Sequence, residues 1–324
     1  MNDLAPWLHA PLRRALASLG EGRLAHGLLI CGPDRIGKHA FAVALTQALL
    51  CRQREDDQAC GRCRDCVLYL AGTHPDVRAV GITENEKTGV LRKEIVIEQV
   101  RDLGAWFALT SQRGGAQVAR IEPASAMNTN AANALLKTLE EPLPGRFLLL
   151  LCESPMRLPA TIRSRCQRIV LQPPDVDTAL AWLRARGHDE ALARSALLAT
   201  NGHPGLAAHW IDAGLLDLRE VVRNDLTAVA GGHKQALEVA AAWLADDQTA
   251  QRLAFAADLA VDLQARTLGV ATRGEWKLAR TGDAARLGDW FDAANRTREL
   301  LRSPIRADLA IAALLRQWRQ ALAA

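Results

Sequence analysis

The chain has 324 residues, 49% of them hydrophobic and 23% charged, an ordinary composition for a globular protein with room for two or three domains. Its net charge of +4 is mildly basic, which permits contact with nucleic acid but does not demand it. No apolar run reaches the roughly 18–20 residues that span a bilayer and the N-terminus lacks an export signal, so we expect a cytoplasmic protein without a membrane partner.

The first motif along the chain joins a short apolar strand, His26 to Cys31, to a helix. The loop between them matches most of the phosphate-binding pattern G-x-x-x-x-G-K-[ST] through Gly32, Gly37 and Lys38. In that pattern the loop amides and the lysine hold phosphates, and the hydroxyl binds Mg²⁺. Here His39 replaces the hydroxyl, and imidazole is a poor ligand for Mg²⁺. Two interpretations stay open, a degenerate nucleotide-binding loop and a purely structural one.

Seven cysteines in a cytoplasmic chain indicate metal ligands or free thiols rather than disulfides. Four of them share a short segment: Cys51, Cys60, Cys63 and Cys66. The spacing C-x8-C-x2-C-x2-C fits a closed, structural Zn²⁺ site with four thiolates. An iron–sulfur cluster uses the same ligands, and four free thiols are the third possibility. The other three are expected to be ordinary buried thiols: Cys31, Cys152 and Cys166.

Strands and helices alternate after the cysteines. Three further strands are predicted: Val77–Val80, Ala116–Ile121 and Phe147–Leu151. Helices are expected between them, near Glu98–Trp106 and from Asn133 onward. This alternation predicts an α/β domain built on a doubly wound parallel sheet.

Every periodic segment beyond Pro173-Pro174 is helical, so an all-α part follows the α/β part. The last helix, from near Ser303-Pro304, carries one apolar stripe along its length. Four late tryptophans are expected to pack in helical cores: Trp243, Trp276, Trp290 and Trp318.

The strand at 116–121 leads into Glu122-Pro123. A P-loop ATPase carries an Asp for Mg²⁺ at this place and often a Glu that positions water. A proline side chain can do neither, and we interpret Glu122 as a cap of the following turn. Together with His39, this second defect predicts that the chain does not hydrolyse ATP.

Residues 133–166 contain a helix, a Pro/Gly turn, a buried strand and a segment with four arginines: Arg157, Arg163, Arg165 and Arg168. We expect these arginines at the carboxyl end of the strand, the ligand-binding edge of an open α/β sheet. Arg165 stands between Ser164 and Cys166. It is either a surface ion-pair partner or an arginine finger that stabilises charge on a transferring phosphate. Spacing alone does not decide between these roles.

Two segments together resemble the bacterial DNA polymerase III clamp-loader family of AAA+ proteins: NALLKTLEEP at 133–142 and Ser164-Arg165-Cys166. Further features resemble the delta-prime branch of that family: the four cysteines after the P-loop helix, Thr73-His74-Pro75-Asp76, and Asn130-Ala131-Ala132. The motifs lie within residues 1–210, and the remainder fits by its length and helicity.

The resemblance implies an AAA+ RecA-like domain over residues 1–170 with a zinc module at 51–66, a helical lid over 171–210 and a helical collar over 211–324. It implies a component of the DNA polymerase III holoenzyme that is not catalytic alone. The implied partners are the gamma/tau ATPase subunits and the delta subunit and, through the complex, the sliding clamp and primed DNA. Arg165, flanked by Ser164 and Cys166, is implied to reach the ATP site of a neighbouring subunit.

The ATPases of this family keep three features that this chain lacks. They have a hydroxyl after the P-loop lysine, Asp-Glu at the position of Glu122-Pro123, and an arginine in a Gly-x-x-Arg motif that here reads Gly202-His203-Pro204-Gly205. Delta-prime subunits are stators that do not turn over ATP, and the three departures agree with that role. Lys38 is retained, which leaves ATP binding open. The alternatives are an active clamp-loader-type ATPase and a zinc-containing DNA-binding module.

Overall fold

The computed structural model describes residues 4–55, 58–84, 89–270, 276, 282–301 and 303–322. Five strands form one sheet: β1 Gly27–Cys31, β2 Val77–Val80, β3 Gln117–Ile121, β4 Arg146–Cys152 and β5 Gln167–Val170. Six helices accompany them: α1 Pro6–Gly20, α2 Lys38–Leu50, α3 Arg64–Leu70, α4 Ile97–Ala108, α5 Thr129–Glu140 and α6 Ala160–Arg163. The rest is helical: α7 Val176–Ala185, α8 Glu190–Ala199, α9 Pro204–Asp212, α10 Leu215–Ala230, α11 Ala236–Trp243, α12 Thr249–Thr267, α13 Ala284–Leu300 and α14 Ala307–Ala321. The predicted order, α/β followed by all-α, is confirmed.

The sheet is parallel throughout, in the order β2-β3-β4-β1-β5. Side chains of β1 alternate between its two faces, as the pleat requires. Leu28 and Ile30 join the core that contains Phe41 of α2, whereas Leu29 joins the core that contains Leu135 of α5. Helices therefore cover both faces, which explains why the strands could be recognised as unbroken apolar runs. The four predicted strands are confirmed as β1 to β4.

The strand β5 was not predicted, and it corrects the expected position of the arginines. It pairs in parallel with β1, Leu28 opposite Gln167, so the chain returns to the amino edge of the sheet before β5 begins. The carbonyl oxygen of Arg165 consequently lies 3.5 Å from where a Cβ would stand on Gly27, the first residue of β1. The expectation that Arg165 lies at the carboxyl edge is therefore wrong.

The chain divides into two compact units, residues 1–182 with 203–206 and residues 183–202 with 207–324. The first unit contains the sheet. The predicted three-domain boundaries near 170 and 210 stay a prediction. Among the described helices, none has both the length and the apolar composition to cross a membrane.

Tryptophans form the core of the second unit, as predicted. Trp243, Trp290 and Trp318 are buried, and each indole N–H has an acceptor. Trp318 donates to the carbonyl of Leu226 at 3.0 Å and stacks against Trp276, with ring centroids 5.9 Å apart. Satisfying the N–H lets these large rings be buried without the cost of an unpaired donor.

The segment before β2 is tied to the segment before β3 by one buried carboxylate. Asp76 has no exposed surface and accepts hydrogen bonds from the Ser111 hydroxyl at 2.9 Å and from the amides of Gln112 and Arg113 at 2.8 Å each. Because three donors converge on this side chain, Asp76 fixes the entry to β3, the strand that Glu122 follows.

We expect Asp76→Asn to lower the free energy of unfolding by about 1–3 kcal/mol, because the new amide N–H₂ faces donors and leaves at least one unpaired. Urea denaturation followed by tryptophan fluorescence measures the change. Asp102→Asn, at an exposed carboxylate on α4, is the matched control. Equal midpoints for the two variants would contradict the assigned role of Asp76.

Candidate nucleotide loop, metal centre and arginine site

The loop after β1 has the backbone of a phosphate loop, but its lysine is turned onto the loop itself. A Cβ on Gly32 would lie 2.6 Å from the carbonyl oxygen of Leu171, and Gly37 has a φ of +100°, so both positions require glycine. The Nζ of Lys38 donates to the carbonyl oxygens of Gly32 at 3.0 Å and Pro33 at 2.8 Å. The loop carbonyls therefore already satisfy two of the three donors that a P-loop lysine offers to phosphates.

The two positions that depart from the ATPase pattern contact each other across the sheet edge. Nδ1 of His39, at the start of α2, lies 2.7 Å from Oε2 of Glu122, which follows β3. The interpretation of Glu122 as a turn cap is therefore wrong, since its carboxylate pairs with the imidazole. A side-chain pair thus stands where a hydroxyl and an acidic residue hold Mg²⁺ in P-loop ATPases.

Gly205, which stands where the lid arginine would be, lies against the backbone of the P-loop. A Cβ on Gly205 would lie 1.9 Å from the carbonyl oxygen of Arg35, far inside van der Waals contact. Arg35 itself has a φ of +59°, in the left-handed region. No side chain fits at Gly205 unless the P-loop backbone moves, so this loop could not accept an arginine there.

The four cysteines of the predicted module converge. Their sulfur atoms all lie within 4.8 Å of one another, with Cys51 at 3.6 Å from Cys60 and 4.0 Å from Cys63. Sulfurs around a tetrahedral ion with bonds of about 2.3 Å stand about 3.8 Å apart, so the cluster has the size that a bound ion requires. Gly61, with a φ of +71°, turns the chain between Cys60 and Cys63.

Hydrogen bonding and burial shift the thiol pKa values of the cluster in opposite directions. Backbone amides of Arg62 and Cys63 lower the pKa of the Cys60 thiol to about 7, whereas burial raises the pKa values of Cys51 and Cys66. A metal cation favours the thiolate form at all four positions, because the thiolate is the ligand. The residues present therefore fit an all-thiolate metal site, and His74, left out of the predicted ligand set, faces elsewhere.

A charge network that the sequence did not predict anchors α3, the helix that begins after Cys63 and contains Cys66. Asp65, between Cys63 and Cys66 on α3, is 4% exposed and accepts a 2.9 Å hydrogen bond from Nε of Arg113. Nε of Arg52 lies 3.3 Å from the other carboxylate oxygen, and Nε2 of His74 lies 3.4 Å from the first. Burial alone would raise the pKa of Asp65, but the bond and charge of Arg113 bring it below its usual value.

Arg165 is partly exposed and is held by the helix that precedes β4. Its Nη2 lies 2.6 Å from Oε1 of Glu140, and its Nη1 donates to the carbonyl of Thr161 at 3.0 Å. Ser164 donates to the same carbonyl at 3.1 Å, while Cys166 is half-buried, with a thiol pKa that burial raises to about 11. The flanking residues therefore fix the turn, and the guanidinium stands at its surface.

The structure brings the four cysteines together and brings His39 to Glu122, but it separates Arg165 from the P-loop. The loop leaves the carboxyl end of β1, and Arg165 lies beside the amino end of the same strand. The four steps of ~3.3 Å between the first and last of the five residues of β1 put these ends roughly 13 Å apart. Arg165 therefore cannot act on a phosphate held in this chain's own loop without leaving the edge where it is anchored.

Comparisons with known proteins agree on one family. The profile described as "DNA polymerase III, delta subunit" matches residues 10–175. DNA polymerase III subunit delta' of Pseudomonas aeruginosa is 40% identical over 251 residues, 76% of this chain and 71% of the relative. The Escherichia coli subunit delta' is 34% identical over 271 residues, 82% of this chain and 78% of the relative. DNA polymerase III subunit tau of Salmonella typhimurium is 32% identical over 164 residues, 50% of this chain and 24% of the relative.

We expect the purified chain to retain about one metal ion, and Cys66→Ser to remove it, since three thiolates and a hydroxyl bind a soft ion far more weakly than four thiolates. Elemental analysis after gel filtration measures the content. Cys166→Ser, a half-buried thiol outside the cluster, should keep the ion. A metal-free wild type, isolated under reducing conditions, would refute the site.

Proposed function

The chain belongs to the delta-prime family of DNA polymerase III subunits, and we propose that it is a non-hydrolysing stator of the clamp loader that acts on a neighbour's ATP. In this role the chain works in the cytoplasm with gamma/tau ATPase subunits and a delta subunit. Through the complex it contributes to the placement of a sliding clamp on primed DNA during replication. The proposed layout is a RecA-like domain to residue 170, a lid to 210 and a collar beyond.

One observation carries this proposal: Arg165 is anchored at the sheet edge opposite to the chain's own P-loop. A residue at that edge can meet a nucleotide only if another subunit presents it. The planar guanidinium is suited to the charge of a transferring phosphate, and a protein that supplies it in trans contributes to a reaction without performing it.

The contacts of the chain's own P-loop also support the proposal that Arg165 acts on a neighbour's ATP. Lys38 is bonded to loop carbonyls, His39 is paired with Glu122, and Gly205 leaves no space for a lid arginine. Lys38 and the His39–Glu122 pair therefore bond within this chain rather than to phosphate or Mg²⁺, and the lid arginine is absent. We infer that this subunit does not turn over ATP.

For the thiolate cluster we propose Zn²⁺ with a structural role, held by Cys51, Cys60, Cys63 and Cys66. Zn²⁺ favours a closed tetrahedral site of this kind and supplies folding energy there. An iron–sulfur cluster would give the protein visible absorption, whereas the zinc form is colourless. A coloured preparation with iron and sulfide would therefore replace zinc by the rival assignment.

In a reconstituted clamp loader, we expect Arg165→Ala to leave assembly intact and to lower ATP turnover by on the order of 10³-fold at the site it serves. Unaffected sites mask part of the loss in total turnover. Arg157→Ala, at an exposed arginine of the same segment, is the matched control and should be near wild type. Wild-type turnover with Arg165→Ala would exclude the finger role.

A substitution at Glu140 distinguishes an arginine-finger role of Arg165 from a purely structural ion pair. If the Arg165–Glu140 pair matters for folding alone, Glu140→Gln and Arg165→Ala should have similar effects. If the guanidinium leaves Glu140 to meet phosphate, Glu140→Gln frees it and should give turnover at or above wild type. Comparing the two variants in one turnover assay, with assembly checked by gel filtration, distinguishes these roles.

The retained Lys38 favours a second candidate, an active clamp-loader-type ATPase. We expect the isolated chain to show no ATP hydrolysis above background, and Lys38→Ala to change nothing, because Lys38 is bonded to the loop. A phosphate-release assay on the single chain measures this. Steady turnover that Lys38→Ala abolishes would favour the ATPase instead.

A further inference from the structure

Two buried thiols contact each other on neighbouring strands at the carboxyl edge of the sheet. Cys31 is the last residue of β1 and Cys152 the last residue of β4, and the parallel register places them opposite one another. Their sulfur atoms are 3.5 Å apart, and both side chains belong to the core that contains Leu135. We call Cys31 and Cys152 the strand thiol pair. It belongs neither to the four-cysteine cluster nor to the contacts of the P-loop.

The geometry of the strand thiol pair is close to that of a disulfide. Neighbouring strands lie ~4.8 Å apart, within the Cα separation of about 4.4–6.8 Å that a disulfide allows. Both side chains point to the same face of the sheet. A sulfur–sulfur bond of about 2.05 Å requires each sulfur to move by roughly 0.7 Å, so the two strands can keep their register.

The other five cysteines are separated from the pair, and all seven lie in the described part of the chain. Four of them form the cluster, and its members Cys51 and Cys66 pack in the core on the other face of the sheet. Cys166 lies at the opposite edge, with its sulfur 3.4 Å from where a Cβ would stand on Gly27 at the start of β1. Each thiol of the pair therefore has the other as its thiol neighbour.

The two thiols of the pair differ in how readily they lose a proton. The hydrogen bond from Cys31 lowers the pKa of the Cys152 thiol, although burial opposes this effect. The positive charges of Lys38 and Arg168 also lower it, whereas the charge of Glu153 raises it. The same hydrogen bond and burial raise the pKa of Cys31. Cys152 is therefore the source of the thiolate, which is the nucleophilic form, and Cys31 keeps its proton.

We propose that the strand thiol pair is a redox-sensitive modification site, which hydrogen peroxide converts to a disulfide between Cys31 and Cys152. The Cys152 thiolate attacks one peroxide oxygen, so that an S–O bond forms, the O–O bond breaks, and the departing hydroxide takes up a proton to become water. Cys31 then attacks the sulfenic sulfur, so that the S–S bond forms, the S–O bond breaks, and the hydroxyl leaves with the Cys31 proton as water. Two thiols thus lose two electrons, and one peroxide is reduced to two waters.

The position of the pair limits the oxidant and indicates what the bond would connect. Cys31 is 2% exposed and Cys152 is 1% exposed, so the site suits an oxidant about as small as water rather than a bulky disulfide. The bond would join the strand that leads into the P-loop to the strand that leads into residues 153–165. In the proposed cytoplasmic setting it would be a transient product of oxidation rather than a permanent bond.

The test treats the full chain as purified with hydrogen peroxide, removes the peroxide with catalase, and then unfolds the protein in urea with N-ethylmaleimide. Trypsin releases each thiol of the pair in a peptide with a single cysteine, residues 24–35 and residues 147–157. Mass spectrometry of the non-reduced digest should find these two peptides joined, two hydrogens lighter than their sum, and separated again by dithiothreitol. The joined form should be at least about tenfold more abundant than any pairing with Cys166, which has no thiol within bonding distance.

The order of the two steps is tested with Cys31→Ser. Serine keeps a hydroxyl donor beside Cys152 but cannot form the disulfide, so peroxide should leave Cys152 as a sulfenic acid that dimedone traps. Cys152→Ser should give no more dimedone adduct on Cys31 than untreated protein does. Cys166→Ser is the matched control and should form the joined peptide like wild type. Circular dichroism melts confirm that each variant is folded.

Two outcomes would overturn the proposal. One is oxidation of Cys166 or of the cluster by peroxide while Cys31 and Cys152 are both recovered as alkylated thiols. The other is a joined peptide that forms equally well when peroxide is added in urea, since that pairing would not depend on the contact between β1 and β4.

Discussion

The parallel pairing of β1 with both β4 and β5 is the constraint on which the other features depend. It buries β1 completely and puts the carboxyl end of every strand at one edge of the sheet. The P-loop leaves that edge, and the segment with Arg165 must cross to the other edge before β5 can start in parallel. The parallel register therefore places the P-loop and Arg165 at opposite edges of the sheet. The proposed action of Arg165 on a neighbour's ATP would use this separation, because it leaves the arginine on a different edge from the chain's own P-loop.

The residues that stand in place of the ATPase motif are engaged with one another or with the loop: His39 contacts Glu122, and Lys38 donates to loop carbonyls. The two bonds of Lys38 to loop carbonyls and the contact of His39 with Glu122 stabilise the observed loop conformation, although solvent exposure keeps a contact such as the His39–Glu122 pair to about 0–1 kcal/mol. An incoming phosphate would have to outcompete these contacts and find no ready position for Mg²⁺. The three departures from the ATPase pattern thus reinforce one another, and restoring one residue would leave the other two obstacles.

Features that depend on local sequence could be predicted, whereas features that depend on contacts between distant residues could not. Strands such as β1 and β4 could be predicted because burial on both faces of a sheet requires apolar runs, and the buried tryptophans because large aromatic side chains usually pack in cores. The cysteine spacing predicted its cluster because chelation by a short loop is a local property. The strand β5 was missed since Gln167 and Arg168 interrupt its pattern at a sheet edge. The contacts of Arg165 with Glu140, and of Asp65 with Arg113, join residues far apart in sequence, so no local pattern announces them.

The cysteine cluster is linked to the segment before β3 through the buried carboxylate of Asp65. Asp65 is buried between two cysteine ligands, and its bond to Arg113 joins α3 to the segment that Asp76 holds before β3. The ion proposed at the four cysteines and this network would together hold a helix of only seven residues, too short to be stable alone. The proposed ion would therefore have a structural part, holding α3 in place relative to the segment before β3, as a closed thiolate site implies.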